Sequence, residues 1–382
     1  MNILVTAAQG LYEDLSASFV HNELKEYVKA GHKVRAIVPV AYGKKTKELS
    51  RLTWPIVRTE HDGVEIFYIR CLSLSERGQH GFNPMAAEAA VRLHKNALLR
   101  GFTPDVIHAH AILFGGRLGA FFKKVCSVPL VITTHGGDTD VSLTQEQNAR
   151  ARRICDAADR IAAVSPAYEK KTRQIGTKTP ISCILNGFNL SLAADGVKPP
   201  HSLIQVSSMI VRKHMDLTIK AAAELKKLYP DLTLTLVGKG VERSRLEKLC
   251  SELCMLDYVN FLGFLSNGEA MKKMAENKIF LMPSTEEGFG IVYAEAMACG
   301  CVTIGTQGEG IDGFIQDGVN GYLVKPNDVD DIIKTVRRCF DEPEKAAAVA
   351  GKGKEDVRSL TWQENARKYL ELFECLTGTD DQ

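Results

Sequence analysis

The sequence lacks cysteine pairs at motif spacing, long apolar runs and a large excess of either charge. Its ten cysteines are scattered along the chain, and no two of them form a C-x-x-C pair. We therefore expect reduced thiols, and neither disulfides nor a zinc site. No stretch approaches the roughly 18 consecutive apolar residues of a membrane-spanning helix. The net charge of +2 gives no general attraction to nucleic acid.

The first residues do not indicate a secretory signal. The first residues, MNILVTAAQG, contain no basic leader, and their apolar run is too short for a signal peptide. We therefore expect a cytoplasmic protein. One basic segment contains Lys44, Lys45, Lys47 and Arg51. It is interpreted either as a solvated loop or as a contact with an anionic acceptor or an anionic membrane surface. A membrane contact would make the protein peripheral at the cytoplasmic membrane face.

Strands and helices alternate in both halves of the chain. With 382 residues the sequence is long for one hydrophobic core, so two domains are expected. The first β-α-β pattern runs from NILVTA to KVRAIVPV without the G-x-G-x-x-G of a dinucleotide site. The segment 190–200, LSLAADGVKPP, has no periodicity and ends in Pro-Pro, as linkers do. The pattern predicts two doubly wound α/β domains facing each other across a ligand-binding cleft.

One stretch of the second half, PSTEEGFGIVYAEAMACGCVTIG at 283–305, predicts an anion site. The apolar run before it is typical of a buried strand, and a helix is expected over 290–298. The first turn of such a helix has free backbone N–H groups that bind phosphate, here those of Phe289, Gly290 and Ile291. Glu287 and Glu295 cannot bind phosphate, so they are expected to hold hydroxyl groups beside it. A diphosphate flanked by hydroxyl groups describes a nucleotide-sugar.

Three histidines of the first half are candidates for substrate contact. In the short strand PDVIHAH, alternation places His108 and His110 on one face, with His110 nearer the carboxyl end. His135 follows the apolar strand PLVITT. Ligands bind at the carboxyl ends of parallel strands, so His110 and His135 are candidates, while a purely structural role stays open for each. The sequence gives no reason to prefer a metal site at these histidines.

Taken together, the motifs resemble glycosyltransferase family 4, retaining enzymes with the GT-B fold. The similar blocks are DVIHAH, TTHGGD, AVSPA, ILNGFN, VGKG, VNFLGFLS, LMPSTEEGFG and DGVNGYLV, in the order of the family. The resemblance extends from residue 1 to about 376. It implies two Rossmann-like domains, with the last helix crossing back to the first domain. The expected acceptor-binding domain is 1–195 plus about 361–382, and the expected nucleotide-sugar-binding domain is 196–360.

The resemblance implies roles in the donor site residue by residue. Glu287 is expected to contact hydroxyl groups of the donor sugar as a catalytic residue, and Glu295 to contact the ribose hydroxyls. Lys213 matches the family lysine that neutralises the diphosphate. The sugar and diphosphate would be held by the backbone amides of Phe289, Gly290, Ile291 and Val292. Further donor contacts are expected at Gly10, Ser208, Arg212, Gly238 and Leu265.

Residues of the first half are expected to contact the transferred sugar and the acceptor. His135 matches the family histidine near the transferred sugar and is expected to take part in catalysis. His110 and Asp138 are expected on the acceptor side.

The chain departs from the family pattern at two places in the donor half. Ser208 stands where an arginine usually helps to neutralise the diphosphate. Arg212 could supply that charge, although neighbours in sequence rarely face the same way. The usual G-x-P-E turn is replaced by GIDG at 310–313, so sugar contacts there do not transfer. Glu309 and Asp312 are interpreted as surface acids.

The expected activity is transfer of a sugar, with retained anomeric configuration, from a UDP-sugar to an acceptor hydroxyl. The acceptor is expected to be a carbohydrate or a lipid-linked compound of cell-surface polysaccharide or glycolipid assembly. No cofactor and no metal are expected, because Lys213 and the helix N-terminus would neutralise the leaving diphosphate. Two alternatives stay open. A nucleotide-sugar epimerase of the same fold would turn over without acceptor, and a non-catalytic subunit would bind the nucleotide-sugar without transferring it.

Overall fold

The structure is a computed structural model of the chain. It describes residues 1–7, 19–42, 55–72, 84–136 and 145–378. Two compact units are present: unit 1 contains Met1–Val164, Tyr168–Leu185 and Trp362–Gln382, and unit 2 contains Ser165–Ala167 and Asn186–Thr361. The predicted positions that lie outside the described residues are Gly10, Lys44, Lys45, Lys47, Arg51 and Asp138.

Unit 1 is built on an eight-stranded sheet. Its strands are β1 (Asn2–Thr6), β2 (Lys33–Tyr42), β3 (Ile56–His61), β4 (Val64–Leu72), β5 (Val106–His110), β6 (Leu130–Thr134), β7 (Arg160–Ala163) and β8 (Ile181–Cys183). They lie in the order β3-β4-β2-β1-β5-β6-β7-β8, and only the β3–β4 pair is antiparallel. The strand order reverses between β1 and β5, so ligands are expected at the carboxyl ends of these strands.

Apolar residues alternate between the two faces of this sheet. Ile3 and Val5 pack into one cluster and Leu4 into another, because successive side chains of a strand point to opposite faces. A parallel sheet is covered by helices on both faces and is therefore apolar on both. The helices in this part of the chain are α1 (Phe19–Lys29), α2 (Pro84–Leu98), α3 (Arg117–Cys126), α4 (Gln145–Cys155) and α5 (Pro166–Arg173).

Unit 2 is built on a six-stranded, entirely parallel sheet. Its strands are β9 (Ser202–Val206), β10 (Thr233–Val237), β11 (Val259–Gly263), β12 (Ile279–Leu281), β13 (Val302–Thr306) and β14 (Tyr322–Val324). They lie in the order β11-β10-β9-β12-β13-β14. The reversal of order falls between β9 and β12. Two parallel-sheet α/β units confirm the predicted fold class.

Six helices connect the strands of unit 2 or follow them. They are α6 (Met215–Lys226), α7 (Arg243–Glu252), α8 (Asn267–Ala275), α9 (Ile291–Ala298), α10 (Val329–Asp341) and α11 (Pro343–Asp356). Among the helices that the structure describes, none is long and apolar enough to cross a membrane.

The last helix, α12 (Trp362–Thr377), belongs to unit 1 although it follows unit 2 in the chain. Tyr369 and Phe373 on this helix are fully buried. The Phe373 ring lies 5.8 Å from the Tyr27 ring of α1, centroid to centroid. Asn365 donates a hydrogen bond of 2.8 Å to the carbonyl of Leu185. The last helix therefore completes the core of unit 1, as the resemblance implies.

We expect Phe373→Ala to destabilise unit 1 by about 3–5 kcal/mol, because it removes a fully buried ring and leaves a cavity. Thermal and urea unfolding measure the loss. Glu371→Ala on the same helix is the control, since Glu371 is exposed and its ion pair within the described residues is the surface pair with Arg367. Equal stability of the two variants would show that α12 does not contribute to the core.

Candidate functional site

Two loops at the carboxyl end of the unit 2 sheet bring together residues that are far apart in the sequence. Lys213 ends the short turn Val211–Lys213 after β9, and Glu287 lies in the loop after β12. Because β9 and β12 are neighbours where the strand order reverses, the Lys213 ammonium forms an ion pair with the Glu287 carboxylate. This is the crevice in which open α/β sheets bind ligands.

Buried polar groups hold the turn that carries Lys213. The Gln205 amide donates to the Lys213 carbonyl at 2.7 Å, and Thr218 donates to the Gln205 side chain at 2.6 Å. The backbone N–H of Thr285 donates to the Arg212 carbonyl at 2.9 Å, which ties the two loops together. Sequence analysis did not identify Gln205. Its only signal was a polar residue within an apolar strand.

Arg212 faces the same carboxylate as Lys213. Its guanidinium lies 4.0 Å from the Glu287 carboxylate and donates to the Glu286 carbonyl at 3.3 Å. The Cα–Cβ bonds of neighbouring residues in a tight turn point in different directions, but the Arg212 and Lys213 side chains are long enough for both to reach the Glu287 carboxylate. Ser208, where the family has arginine, is exposed. Two positive charges therefore lie beside Glu287 without an arginine at position 208.

Helix α9 begins beside this ion pair with unpaired backbone donors. The N–H groups of Phe289, Gly290, Ile291 and Val292 donate no hydrogen bond within the described part of the chain. Gly290 is the N-cap residue, with a positive φ of 75°. A Cβ atom at Gly290 would also lie 2.6 Å from the Tyr293 ring, so this position requires glycine. Free donors and the helix dipole together favour an anion here.

The turn after β13 supports the Glu287 loop from the other side. The Glu309 carboxylate accepts a hydrogen bond of 3.0 Å from the backbone N–H of Glu287. The interpretation of Glu309 as a plain surface acid is therefore wrong. Asp312 accepts from the Gly308 N–H at 2.6 Å and stabilises the turn itself. A Cβ atom at Gly310 would lie 2.5 Å from the Gly288 backbone, so the two loops touch through glycine.

The other residues expected to contact the donor also lie in unit 2. The Glu295 carboxylate accepts a hydrogen bond of 2.6 Å from the Asn267 amide, and burial raises the Glu295 pKa. A Cβ atom at Gly238 would lie 1.9 Å from the Ser207 carbonyl, so only glycine permits this close approach. Leu265 is partly buried just before α8. Asn267 could not be identified from its local sequence, because its partner is 28 residues away.

A second group of site residues lies in unit 1. His110 and His135 are buried, their rings stack at an interplanar angle of 19°, and His110 Nδ1 lies 3.1 Å from His135 Nε2. Burial lowers the pKa of His108 and of His135 to about 3 and that of His110 well below its usual value. These imidazoles are therefore neutral at pH 7, so they can exchange hydrogen bonds with a ligand but do not supply positive charge.

Sequence analysis missed one member of this group, Glu23 of α1. Its carboxyl is 3% exposed, and burial raises its pKa to about 8. The Tyr27 hydroxyl donates to it at 2.8 Å. An acid on the inner face of an amphipathic helix was the only signal.

Two clusters of described residues have a spacing that a metal ion could use. Glu23, His108 and His110 place one potential ligand atom each within 4.8 Å of one another, and so do His21, His61 and Asp62. In the second cluster, the Lys25 ammonium lies 3.2 Å from the Asp62 carboxylate and already neutralises it. Neither cluster includes Lys213, Glu287 or the residues around them in unit 2.

We expect Gly310→Ala to displace the Glu287 loop, because the new methyl group would lie 2.5 Å from backbone atoms that cannot rotate away. The variant should lose ligand binding at the start of α9 and show lower thermal stability. Gly351→Ala in α11 is the matched control, since its added Cβ meets no atom within 4 Å. Unchanged binding in Gly310→Ala would disprove this contact.

Comparison with known proteins places both halves of the chain in the same class. Residues 16–192 match the family model described as Glycosyltransferase Family 4, and residues 196–356 match the one described as Glycosyl transferases group 1. The GDP-mannose-dependent alpha-(1-6)-phosphatidylinositol monomannoside mannosyltransferase of Mycolicibacterium smegmatis is a curated relative. It is 26% identical over 277 residues, which cover 67% of this chain and 72% of that protein.

Solved structures show the same fold over the whole chain. Sucrose-phosphate synthase from Thermosynechococcus elongatus has a TM-score of 0.81 at 20% identity, with all of both chains covered. HepE from Anabaena in complex with UDP has a TM-score of 0.77 at 21% identity, covering 98% of this chain and 100% of that one. The two family models, one on each half of the chain, and the fold together show that this chain is a glycosyltransferase of family 4 with the GT-B fold.

Proposed function

We propose that unit 2 binds a nucleotide-sugar and that the chain transfers its sugar to an acceptor hydroxyl held by unit 1. The observation that carries this proposal is the Lys213–Glu287 ion pair beside the unpaired N–H groups at the start of α9. It combines positive charge, anion-binding donors and a carboxylate that accepts hydroxyl hydrogen bonds. A sugar diphosphate needs all three.

Donor binding would rearrange the ion pair. The diphosphate competes with Glu287 for the Lys213 ammonium, and Arg212 supplies the second charge from the same side. Glu287 then turns to the hydroxyl groups of the sugar, while Glu295, oriented by Asn267, holds the ribose. Neutralising the diphosphate stabilises it as the leaving group, so the reaction needs neither a strong acid nor a metal ion.

We propose that the sugar is transferred with retained configuration, by attack of the acceptor on the face that the diphosphate leaves. The departing phosphate oxygen takes the acceptor proton, so no side chain has to act as a general base. His135, neutral at pH 7, contacts the transferred sugar through a hydrogen bond. His110 lies behind His135 and acts through it. Gly10 and Asp138 stay predicted contacts of the donor and the acceptor.

The donor is proposed to be a UDP-sugar. HepE, which shares the fold, has been solved with UDP and with UDP-glucose. The mycolicibacterial relative is named as GDP-mannose-dependent, so the choice between uracil and guanine in the donor nucleotide has to be tested directly.

In a thermal-shift panel of nucleotide-sugars, we expect UDP-sugars to stabilise the protein by about 2.7 kcal/mol at 100 times their dissociation constant. Transfer assays with the best binder should need an acceptor and should be unaffected by EDTA. Lys213→Ala should lower kcat by about 10²–10³-fold, because it removes a preorganised charge from the diphosphate. Lys220→Ala on α6 is the control, since among the described residues the exposed Lys220 ammonium forms an ion pair with Asp216 alone.

Each alternative predicts a different result in the same assays. Turnover of the nucleotide-sugar without acceptor would identify an epimerase, and binding without turnover would identify a non-catalytic subunit. Strong inhibition by EDTA that manganese reverses would contradict metal-independent transfer.

We propose a lipid-linked acceptor of cell-surface glycan assembly, reached at an anionic membrane surface. A depression of about 400 Å³ in unit 1 is lined by five basic side chains, Arg92, Arg117, Lys124, Arg150 and Arg153, and by one acid, Glu88. The exposed large apolar side chains of the described part of unit 1 lie on the helices beside it, at Met85, Leu93 and Val125. Positive charge next to exposed apolar groups suits the surface of an anionic bilayer.

We expect the protein to sediment with phosphatidylglycerol vesicles and not with phosphatidylcholine vesicles. Replacing Arg150 and Arg153 by alanine should weaken the binding about 30-fold, at about 1 kcal/mol for each basic residue. Lys345 and Lys352 of α11, replaced in the same way, are the matched control. Binding that does not depend on the charge of the vesicle or on Arg150 and Arg153 would contradict this surface.

A further inference from the structure

Glu23 is a buried carboxyl group that the proposed transfer reaction does not use. It projects from α1 towards β5, and no lysine or arginine among the described residues forms an ion pair with it. The Tyr27 hydroxyl donates to Glu23 Oε1 at 2.8 Å. His108 Nδ1 lies 3.2 Å and His110 Nε2 3.7 Å from the same oxygen. A buried carboxyl therefore faces two imidazoles, with one hydroxyl proton from Tyr27.

The other nitrogen of each imidazole is engaged on the far side of the ring. His108 Nε2 lies 2.7 Å from the Thr133 hydroxyl, which lies 2.9 Å from the Tyr369 hydroxyl of α12. His110 Nδ1 lies 3.1 Å from His135 Nε2. Glu23, His110 and His135 thus form a continuous series of polar contacts from the core of unit 1 to the end of β6.

Two proton arrangements satisfy the contact between His110 and His135. Both rings are neutral, so each carries one proton, and a hydrogen bond between them needs one donor and one acceptor. If His110 carries its proton on Nδ1, then His135 Nε2 accepts and the His135 proton is on Nδ1. If His110 carries its proton on Nε2, then His135 Nε2 donates and His135 Nδ1 is unprotonated. The two tautomers therefore change together.

The charge of Glu23 decides between these arrangements. An ionised carboxylate 3.7 Å from His110 Nε2 favours the proton on that nitrogen. His110 Nε2 has no hydrogen-bond partner within the described residues, so this nitrogen is available to the carboxylate. A neutral carboxyl no longer attracts a proton to His110 Nε2, and where it donates to that nitrogen it places the His110 proton on Nδ1.

We propose that Glu23 is a positioning residue that, through His110, sets which ring nitrogen of His135 carries the proton. Burial raises the pKa of Glu23 to about 8, so the carboxyl is neutral at pH 7 and ionised above pH 8. His135 Nδ1 is then a donor at neutral pH and an acceptor at higher pH. The coupling between the tautomers rests on the geometry, and the pH at which they exchange rests on the raised pKa of Glu23. Its effect on catalysis rests on the proposed function, in which His135 contacts the sugar.

The test reads the histidine tautomers directly by NMR, with the imidazole nitrogens of the ten histidines labelled with nitrogen-15. Protonated and unprotonated ring nitrogens have well-separated shifts. In the wild type, His110 and His135 should exchange tautomers together with a midpoint near pH 8. Glu23→Gln should keep both rings in the neutral-pH tautomer up to about pH 9.5, because glutamine does not ionise. Glu26→Gln on the same helix is the control and should behave as the wild type.

A second variant keeps the test decisive if Glu23→Gln does not fold. Tyr27→Phe removes the hydroxyl that donates to Glu23 and leaves the carboxyl in place. Losing a donor to the carboxylate raises its pKa, so the tautomer exchange should move to higher pH. If Tyr27→Phe leaves the midpoint unchanged, Glu23 is not the group that titrates.

Activity measurements then separate this proposal from the proposed function. In the wild type, kcat should fall about tenfold per pH unit above the midpoint, and Glu23→Gln should remove this fall. A tautomer exchange without any transfer activity would support the proposal and count against the proposed function. Transfer without the exchange, the same exchange in Glu23→Gln, or a metal ion that copurifies with Glu23, His108 and His110 would overturn the proposal.

Discussion

The ion pair between Lys213 and Glu287 depends on one topological feature, the adjacency of β9 and β12 in the unit 2 sheet. The strand order reverses there, so two loops separated by 74 residues meet at one edge. The residues that hold the two loops in place also come from neighbouring strands of this sheet. Gln205 comes from β9 and Glu309 from the turn after β13, and both bond to backbone atoms of the two loops. The positions of the two loops are therefore fixed by backbone hydrogen bonds and do not depend on the ion pair itself.

Unit 1 presents different electrostatics. Its site side chains are buried, and burial disfavours the charged form of each of them, raising the pKa of Glu23 and lowering those of His108 and His135. The charged pair of the candidate site, Lys213 with Glu287, therefore lies in unit 2. What unit 1 offers a substrate is hydrogen bonding, and the arrangement of protons decides whether a nitrogen donates or accepts. The candidate site residues of unit 2 carry charge, whereas those of unit 1 are neutral hydrogen-bonding groups.

Sequence reasoning succeeded where the signal is local. The start of α9 was expected at residue 290 and observed at Ile291, and the last helix begins at Trp362, within a residue of the expected boundary at about 361. The motif around Glu287 identified the anion-binding helix start because its glycines and acids are consecutive. It missed Glu309, Asn267 and Glu23, because each acts through a partner 22 to 85 residues away. It also missed that Arg212 and Lys213 converge, since side-chain reach in a turn is not a property of spacing.

The sequence alone determined the fold class, the family and the candidate donor residues, because these follow from periodicity and from short consecutive motifs. The tertiary structure alone decided how those residues are held and protonated. It made Glu309 a support for Glu287, and Asn267 a support for Glu295. It also placed the Glu23 carboxyl, which has no lysine or arginine partner among the described residues, against His108 and His110. The physical reason is that hydrogen bonds and desolvation depend on distances in space, and the chain brings these groups together only when the parallel sheets form.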